Sequence, residues 1–294
     1  MTTRAEQGRG AGQWRQRVAT VLLLMPTSAW YFLLLIVPLG ILLLFSVGER
    51  APEGGYAGGF TLDNYLHLPT RSTAFTNTLW MATGGTILCL LAGYPLAYYL
   101  ATRAGAKKTL LLVLVIVPFW TSFLIRTYAW LTILGSTGLP ASLDGLGFHN
   151  VVLLNTPPAV MIGIVYNYLP LMVFPLYVSL ERLDKRLLEA SKDLGAARWR
   201  TFLQVTLPLT LPGVLSGIIL VFIPIMGEYL IPALLGGGKV FFVGNALVDA
   251  FLQSRNWPFG SAMAIGLILV VLVAVALYLR VGTRGQTQRD IPLV

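Results

Sequence analysis

Few residues in this 294-residue chain combine a reactive type with a setting that would use it. Glu228 is one, in VFIPIMGEYLIPALLGGG (Val221–Gly238). A carboxylate inside an apolar run is costly unless it meets a polar cavity, a cation or unpaired backbone groups. Pro224, Gly227 and Pro232 supply such groups, because proline removes a helical hydrogen bond. Two readings follow: Glu228 lines or gates a path for a polar solute, or it hydrogen-bonds the broken backbone around it. The second stretch is EASKDLGAARWRTFLQVTLP (Glu189–Pro208), the longest hydrophilic-to-amphipathic segment in the chain. On a helix, Leu187, Ala190, Leu194 and Ala197 share one face. Gly195 interrupts the run and Pro208 ends it, which predicts helix, bend, helix and stop. An apolar face edged by Arg182, Lys185, Arg186, Lys192, Arg198 and Arg200 suits a partner's groove or a membrane surface.

Other chemistry is missing. A phosphate-cradling loop needs G-x-x-x-x-G-K-[ST]. Gly238-Lys239 comes nearest, but Val240 follows and Ala233 stands where the first glycine belongs. The chain is therefore not expected to hydrolyse ATP itself. His67 and His149 fall in different loops, and no Cys, His and acid cluster has metal spacing. No serine nucleophile elbow is present. Cys89 is the single cysteine, lies in an apolar run and reads as a small core residue. An enzyme is not expected, nor a bound cofactor or metal.

The elements that hold these residues are membrane spans. Hydrophobic residues make up 56% of the chain and charged ones 11%, with a mean hydropathy of +0.74. Soluble domains carry roughly 25% charged residues. Apolar runs at about 22–46, 74–101, 109–134, 157–180, 209–234 and 260–281 predict six transmembrane helices, an all-α integral membrane protein. The first run is too long for a signal-peptide core. The expected organisation is an N-terminal tail over 1–20, a six-helix domain over 21–282 with a loop at about 181–208, and a C-terminal tail over 283–294. The net charge of +9 does not mark a nucleic-acid protein, because of where it lies. Of 21 Lys and Arg, 16 fall in the N-terminal tail, the 103–108 turn, the 182–200 loop and the C-terminal end from Arg280. The other five are Arg50, Arg71, Arg126, Lys239 and Arg255. That imbalance places both termini and the 181–208 loop on the cytoplasmic side. Gly213-x-x-x-Gly217 in the fifth span reads either as a close helix approach or as two unrelated glycines.

The outward half offers Glu228, Asp249, Trp130, Tyr166, Tyr168, Tyr229 and Trp257, with Asn167 between the two tyrosines of the fourth span. Carboxylates and ring faces suit a cation, yet aromatic residues at span ends are mostly interface anchors. Arg126 would repel a cation, so it is expected to be paired. Outside acids and outside bases balance, which selects no substrate.

The spacing of Glu189, Ala190, Ser191, Gly195, Val205, Leu207 and Pro208 resembles the coupling loop of ABC importer permeases: Glu-Ala-Ala, three residues, Gly, nine residues, an aliphatic residue, one residue, Leu-Pro. Ser191 for Ala and Val205 for Ile are the departures. GEYLIPALLGGG, IRTYAWLTILGSTG (Ile125–Gly138) and RNWPFGSA (Arg255–Ala262) look like the first permease subunit of spermidine/putrescine importers, over about residues 60–280. The resemblance implies the type I importer transmembrane fold, with a cytoplasmic coupling helix between helices 4 and 5. It implies a multi-pass protein of the bacterial inner membrane, a homologous second permease, two ATPase subunits that bind ATP and Mg, and an extracytoplasmic substrate-binding protein. The residues of the loop pattern would couple the ATPase. Glu228, Tyr229, Tyr166, Asn167, Tyr168, Trp130 and Asp249 would line the path. The alternatives are an importer of the same class for another solute, an ion-coupled secondary transporter, which leaves the loop spacing unexplained, and a membrane scaffold, which leaves Glu228 and the broken fifth span unexplained.

Overall fold

The structure is a computed structural model in which residues 20–284 are described. Residues 1–19 and 285–294, which hold most of the two expected tails, lie outside them. The described residues are helical, with a single isolated bridge between Arg50 and Tyr56. They fall into two units: residues up to Leu66 together with Asn256–Ile265, and His67–Arg255 together with the segment from Gly266.

In the first unit α1 (Thr20–Ser46) is long and apolar enough to cross a membrane, and its large side chains are exposed along its length. The end of α1 is tied down by the FTLDNY segment. The Asn64 amide donates to the Ser46 and Gly48 carbonyls at 3.1 and 2.9 Å, and the Tyr65 hydroxyl donates to Ser46 Oγ at 2.7 Å. These bonds occupy carbonyls that a helix end leaves without partners. Phe45 stacks between Tyr56 and Trp257, at 4.6 and 6.2 Å between ring centroids.

The second unit is built on three helices: α2 (Ser72–Thr102), α5 (Pro157–Glu181) and α8 (Leu211–Met226). With 25 residues α5 is about 37 Å long, enough for a hydrocarbon core of about 30 Å. The two glycines of the fifth span make a close approach. A Cβ on Gly213 would stand 2.7 Å from the Pro175 carbonyl, and one on Gly217 would stand 2.6 Å from Met172 Sδ. No side chain fits there, so the spacing marks packing of α8 on α5. Cys89 is fully buried, as a core residue.

Among the described residues four helices are long and apolar enough to span, and up to six if each of two bent pairs counts as one. The third span is not one straight helix over 109–134. It breaks into α3 (Lys108–Trp120) and α4 (Phe123–Leu134), bent by 91°. Thr121 and Ser122 have extended ψ values of 156° and 131°, which end one helix and start the next. The fifth span is also shorter than 209–234: α8 stops at Met226, and α9 (Leu230–Leu235) follows a three-residue break.

Candidate functional site: the inner loop and the broken outer end of the fifth span

In the loop before the fifth span, α6 (Lys185–Asp193) carries the first residues of the loop pattern. Asp184 caps it by accepting from the Arg186 N–H at 3.0 Å. Gly195 ends it. Its φ is +76°, its N–H bonds the Lys192 carbonyl at 2.8 Å, and the Ala196 N–H bonds the Ser191 carbonyl at 3.1 Å. This pair of bonds around a left-handed residue is a Schellman cap, which favours glycine. A Cβ there would meet nothing within 4 Å, so the requirement is conformational. Because α6 ends before Gly195, Ala197 is not on the helix face with Leu187, Ala190 and Leu194, as the spacing had suggested.

Chain direction then reverses into α7 (Arg198–Leu209), and the two arms are pinned by Ser191 Oγ and Thr201 Oγ1 at 2.9 Å. Between them runs a groove lined by Leu187, Ala190, Ser191, Leu194, Val205 and Leu209. Leu194 is 88% exposed. On the other side of α6, Glu189 lines a polar cleft with Arg103, Lys192 and Arg198.

Pro208 is not the stop. A π-helical turn over Phe202–Thr206, in which the Leu207 N–H reaches back to Phe202, widens the helix and carries the chain past the proline, flanked by half-buried Leu207. The stop is Thr210, where α7 and α8 meet at 65°. Thr210 is fully buried. Its hydroxyl donates to the Thr206 carbonyl at 2.9 Å and so accepts from Tyr94 on α2 at 2.9 Å. Neither Thr210 nor Tyr94 was singled out from sequence. The signal was there in Thr210-Leu211-Pro212, a cap residue with proline in the first turn.

At the other end of the fifth span, Glu228 sits in the break between α8 and α9 and is 6% exposed. Oε1 accepts from the N–H groups of Tyr229, Leu230 and Ile231 at 3.0, 2.8 and 3.3 Å. Oε2 accepts from the hydroxyl of Tyr168 on α5. One carboxylate thus satisfies three N–H groups that the new helix would leave bare, and fastens α9 to α5. The stretch is held from two further sides. The Asn245 amide donates to the Tyr229 carbonyl at 2.8 Å, and Thr78 on α2 accepts from the Val243 N–H at 2.9 Å.

The other outward candidates separate. Trp130 and Tyr166 meet edge to face at 5.4 Å, and Tyr166 is 40% exposed. Tyr229 also keeps its ring exposed. Asn167 is buried, its amide donating to the Gly163 carbonyl at 2.9 Å while Oδ1 has no partner. Asp249 lies away from Glu228's clamp and pairs with Arg71 at 3.5 Å. Lys108 and Glu181 form an ion pair between α3 and α5. Arg126 is not ion-paired with any described residue, contrary to expectation. Its guanidinium lies 5.5 Å from the Phe119 ring and 5.8 Å from the Phe123 ring. Among the described outward candidates, then, the carboxylates are engaged and the open groups are ring faces, which can receive a cation. No described group of His, Cys, Asp and Glu could hold a metal.

Three comparisons bear on this arrangement. The family model for binding-protein-dependent transport system inner membrane components matches residues 5–284. The chain is 42% identical over 257 residues to the spermidine/putrescine transport system permease protein PotB of Haemophilus influenzae, covering 86% of this chain and 90% of that one. Among solved structures it is similar to a bacterial ABC transporter involved in the import of the acidic polysaccharide alginate, with a TM-score of 0.72 at 20% identity, covering 94% of this chain and 99% of the other. The alginate transporter in complex with an alginate pentasaccharide-bound periplasmic protein gives a TM-score of 0.70 at 20% identity, covering 91% and 94%. At that identity the likeness is one of fold, the fold of ABC importer permeases.

Proposed function

We propose that this chain, which belongs to the family of binding-protein-dependent transport system inner membrane components, is a membrane-spanning subunit of an ABC importer for polyamines. The observation that carries the transport reading is the groove between α6 and α7: an exposed apolar surface, held in shape by the Gly195 cap and the Ser191–Thr201 bond, on a loop that has the family's spacing. Such a surface suits a partner that supplies the missing cover. The partner is an ATPase, two copies of which bind ATP and Mg and hydrolyse ATP, since this chain carries no phosphate-binding loop. A homologous second permease completes the path, and an extracytoplasmic protein delivers the solute. The loop lies in the cytoplasm with both termini, as the basic residues require.

Spermidine and putrescine come from the similarity to the Haemophilus permease. The exposed rings of Tyr166 and Tyr229 are compatible with passage of such cations, each ring offering roughly 0.5–2 kcal/mol. Glu228 contributes to the path by holding its wall rather than by meeting the solute.

The test is uptake of labelled spermidine by cells expressing the complete transporter, with competition by unlabelled putrescine, amino acids and sugars. Saturable uptake blocked only by putrescine is the expected result. An assembled complex that hydrolyses ATP but takes up no spermidine would remove the polyamine assignment and leave the importer.

A further inference from the structure

Arg126 is the one charged side chain in the described spans that carries a full charge, is 7% exposed, and has no acid beside it. An arginine stays protonated in any protein environment, so it cannot escape this setting by losing its proton. Its Nε is sealed with no hydrogen-bond partner among the described residues. The Nη groups have no hydrogen-bond partner among the described residues either and are not among the sealed atoms, with Tyr166 and Tyr168 of α5 within electrostatic reach. The guanidinium is held in place by rings from both sides of the third-span bend, Phe119 on α3 and Phe123 on α4. Its fork is therefore positioned and its donors are unused.

The depth narrows what can answer it. With 13 residues α3 runs about 20 Å from the cytoplasmic turn before the 91° bend, so the bend lies inside a hydrocarbon core of about 30 Å. Headgroup phosphates stand outside that core. The surface around the bend is apolar and bare, with Trp120 81% exposed and Ile125 65% exposed. The described acids of the spans are taken: Glu228 by its own backbone and Tyr168, Glu181 by Lys108.

We propose that Arg126 is a docking charge for the second permease subunit: its guanidinium receives an aspartate or glutamate side chain that the partner brings into the membrane at the third-span bend. The inference rests on the reading of the chain as one half of a permease pair. Guanidinium and carboxylate match as a two-pronged, charge-assisted pair, which fixes orientation as well as contact.

The test uses the complete transporter with this chain tagged, purified from membranes of cells expressing Arg126→Leu or Arg126→Lys. Leucine removes a buried charge and keeps apolar bulk, so the variant chain should reach the membrane in normal amount. The expected result is a fivefold or greater loss of the co-purified second permease in Arg126→Leu, and a smaller loss in Arg126→Lys, which keeps the charge but not the fork. Neutralising the second permease's intramembrane acids one at a time should then find one that reproduces the loss and adds nothing in the Arg126→Leu background. Full retention of the second permease by Arg126→Leu would overturn the proposal. So would equal loss of membrane abundance in both variants, the mark of a staple within this chain, or loss of a bound phospholipid with subunit retention unchanged. If the unmutated chain brings down no second permease, the functional reading fails first and this inference falls with it.

Discussion

The α6–α7 loop and the Glu228 end of the fifth span are both breaks in helical structure, and they are finished in opposite ways. At the Glu228 break the chain answers its own groups: Glu228 covers three N–H groups, Tyr168 covers Glu228, Asn245 covers the Tyr229 carbonyl, and Thr78 covers the Val243 N–H. At the α6–α7 loop the backbone is satisfied, by the Gly195 cap and Asp184, but the side chains are not. Leu187, Leu194, Trp199 and Leu203 all remain exposed. Exposed apolar surface on an ordered backbone suits a site for another protein. The Glu228 break holds its own shape, and the loop fits the docking role proposed for it.

That contrast can be broken by substitution. Glu228→Ala should have the largest effect, because it strands three buried N–H groups and the Tyr168 hydroxyl. A loss of roughly 3–5 kcal/mol is expected, read as a lower unfolding temperature and lower membrane abundance of the complex. Glu228→Gln keeps an acceptor and should cost far less, with spermidine uptake retained. If Glu228→Gln instead abolishes uptake in a stable complex, the carboxylate meets the solute and the contrast fails. Gly213→Leu forces a side chain into the α5–α8 contact and should cost about 1–3 kcal/mol by the same thermal measurement. Thr210→Val removes the bonds to Tyr94 and Thr206 and should cost about 1–2 kcal/mol. Ser191→Ala, which restores the residue of the family pattern, removes the bond to buried Thr201 and should cost about 0.5–1.5 kcal/mol. No change there would mean that the Ser191–Thr201 bond does not hold the groove.

The spans and the loop spacing could be read from sequence because both are linear: apolar runs of membrane length, and glycine at a fixed distance from a carboxylate. What could not be read was pairing across the fold. Glu228 left two readings open because nothing in its neighbourhood names Tyr168, sixty residues earlier. Pro208 looked like a stop because proline ends a regular α-helix, whereas a π-helical turn has room for it. The 91° bend at Thr121–Ser122 lies within an unbroken apolar stretch, where hydropathy is blind to direction. Arg126 was expected to be paired because a bare guanidinium on the path would repel a cation, and the described residues supply ring faces but no carboxylate.

The central claim is that the α6–α7 loop passes work from an ATPase to a polyamine path. Gly195→Asp tests it most directly. Aspartate tolerates the left-handed backbone better than most residues, and its side chain has open space, so the chain itself should fold and insert normally. In the complete transporter the account predicts at least a tenfold loss of labelled spermidine uptake at normal abundance of this chain. Normal uptake by Gly195→Asp at that abundance would contradict it.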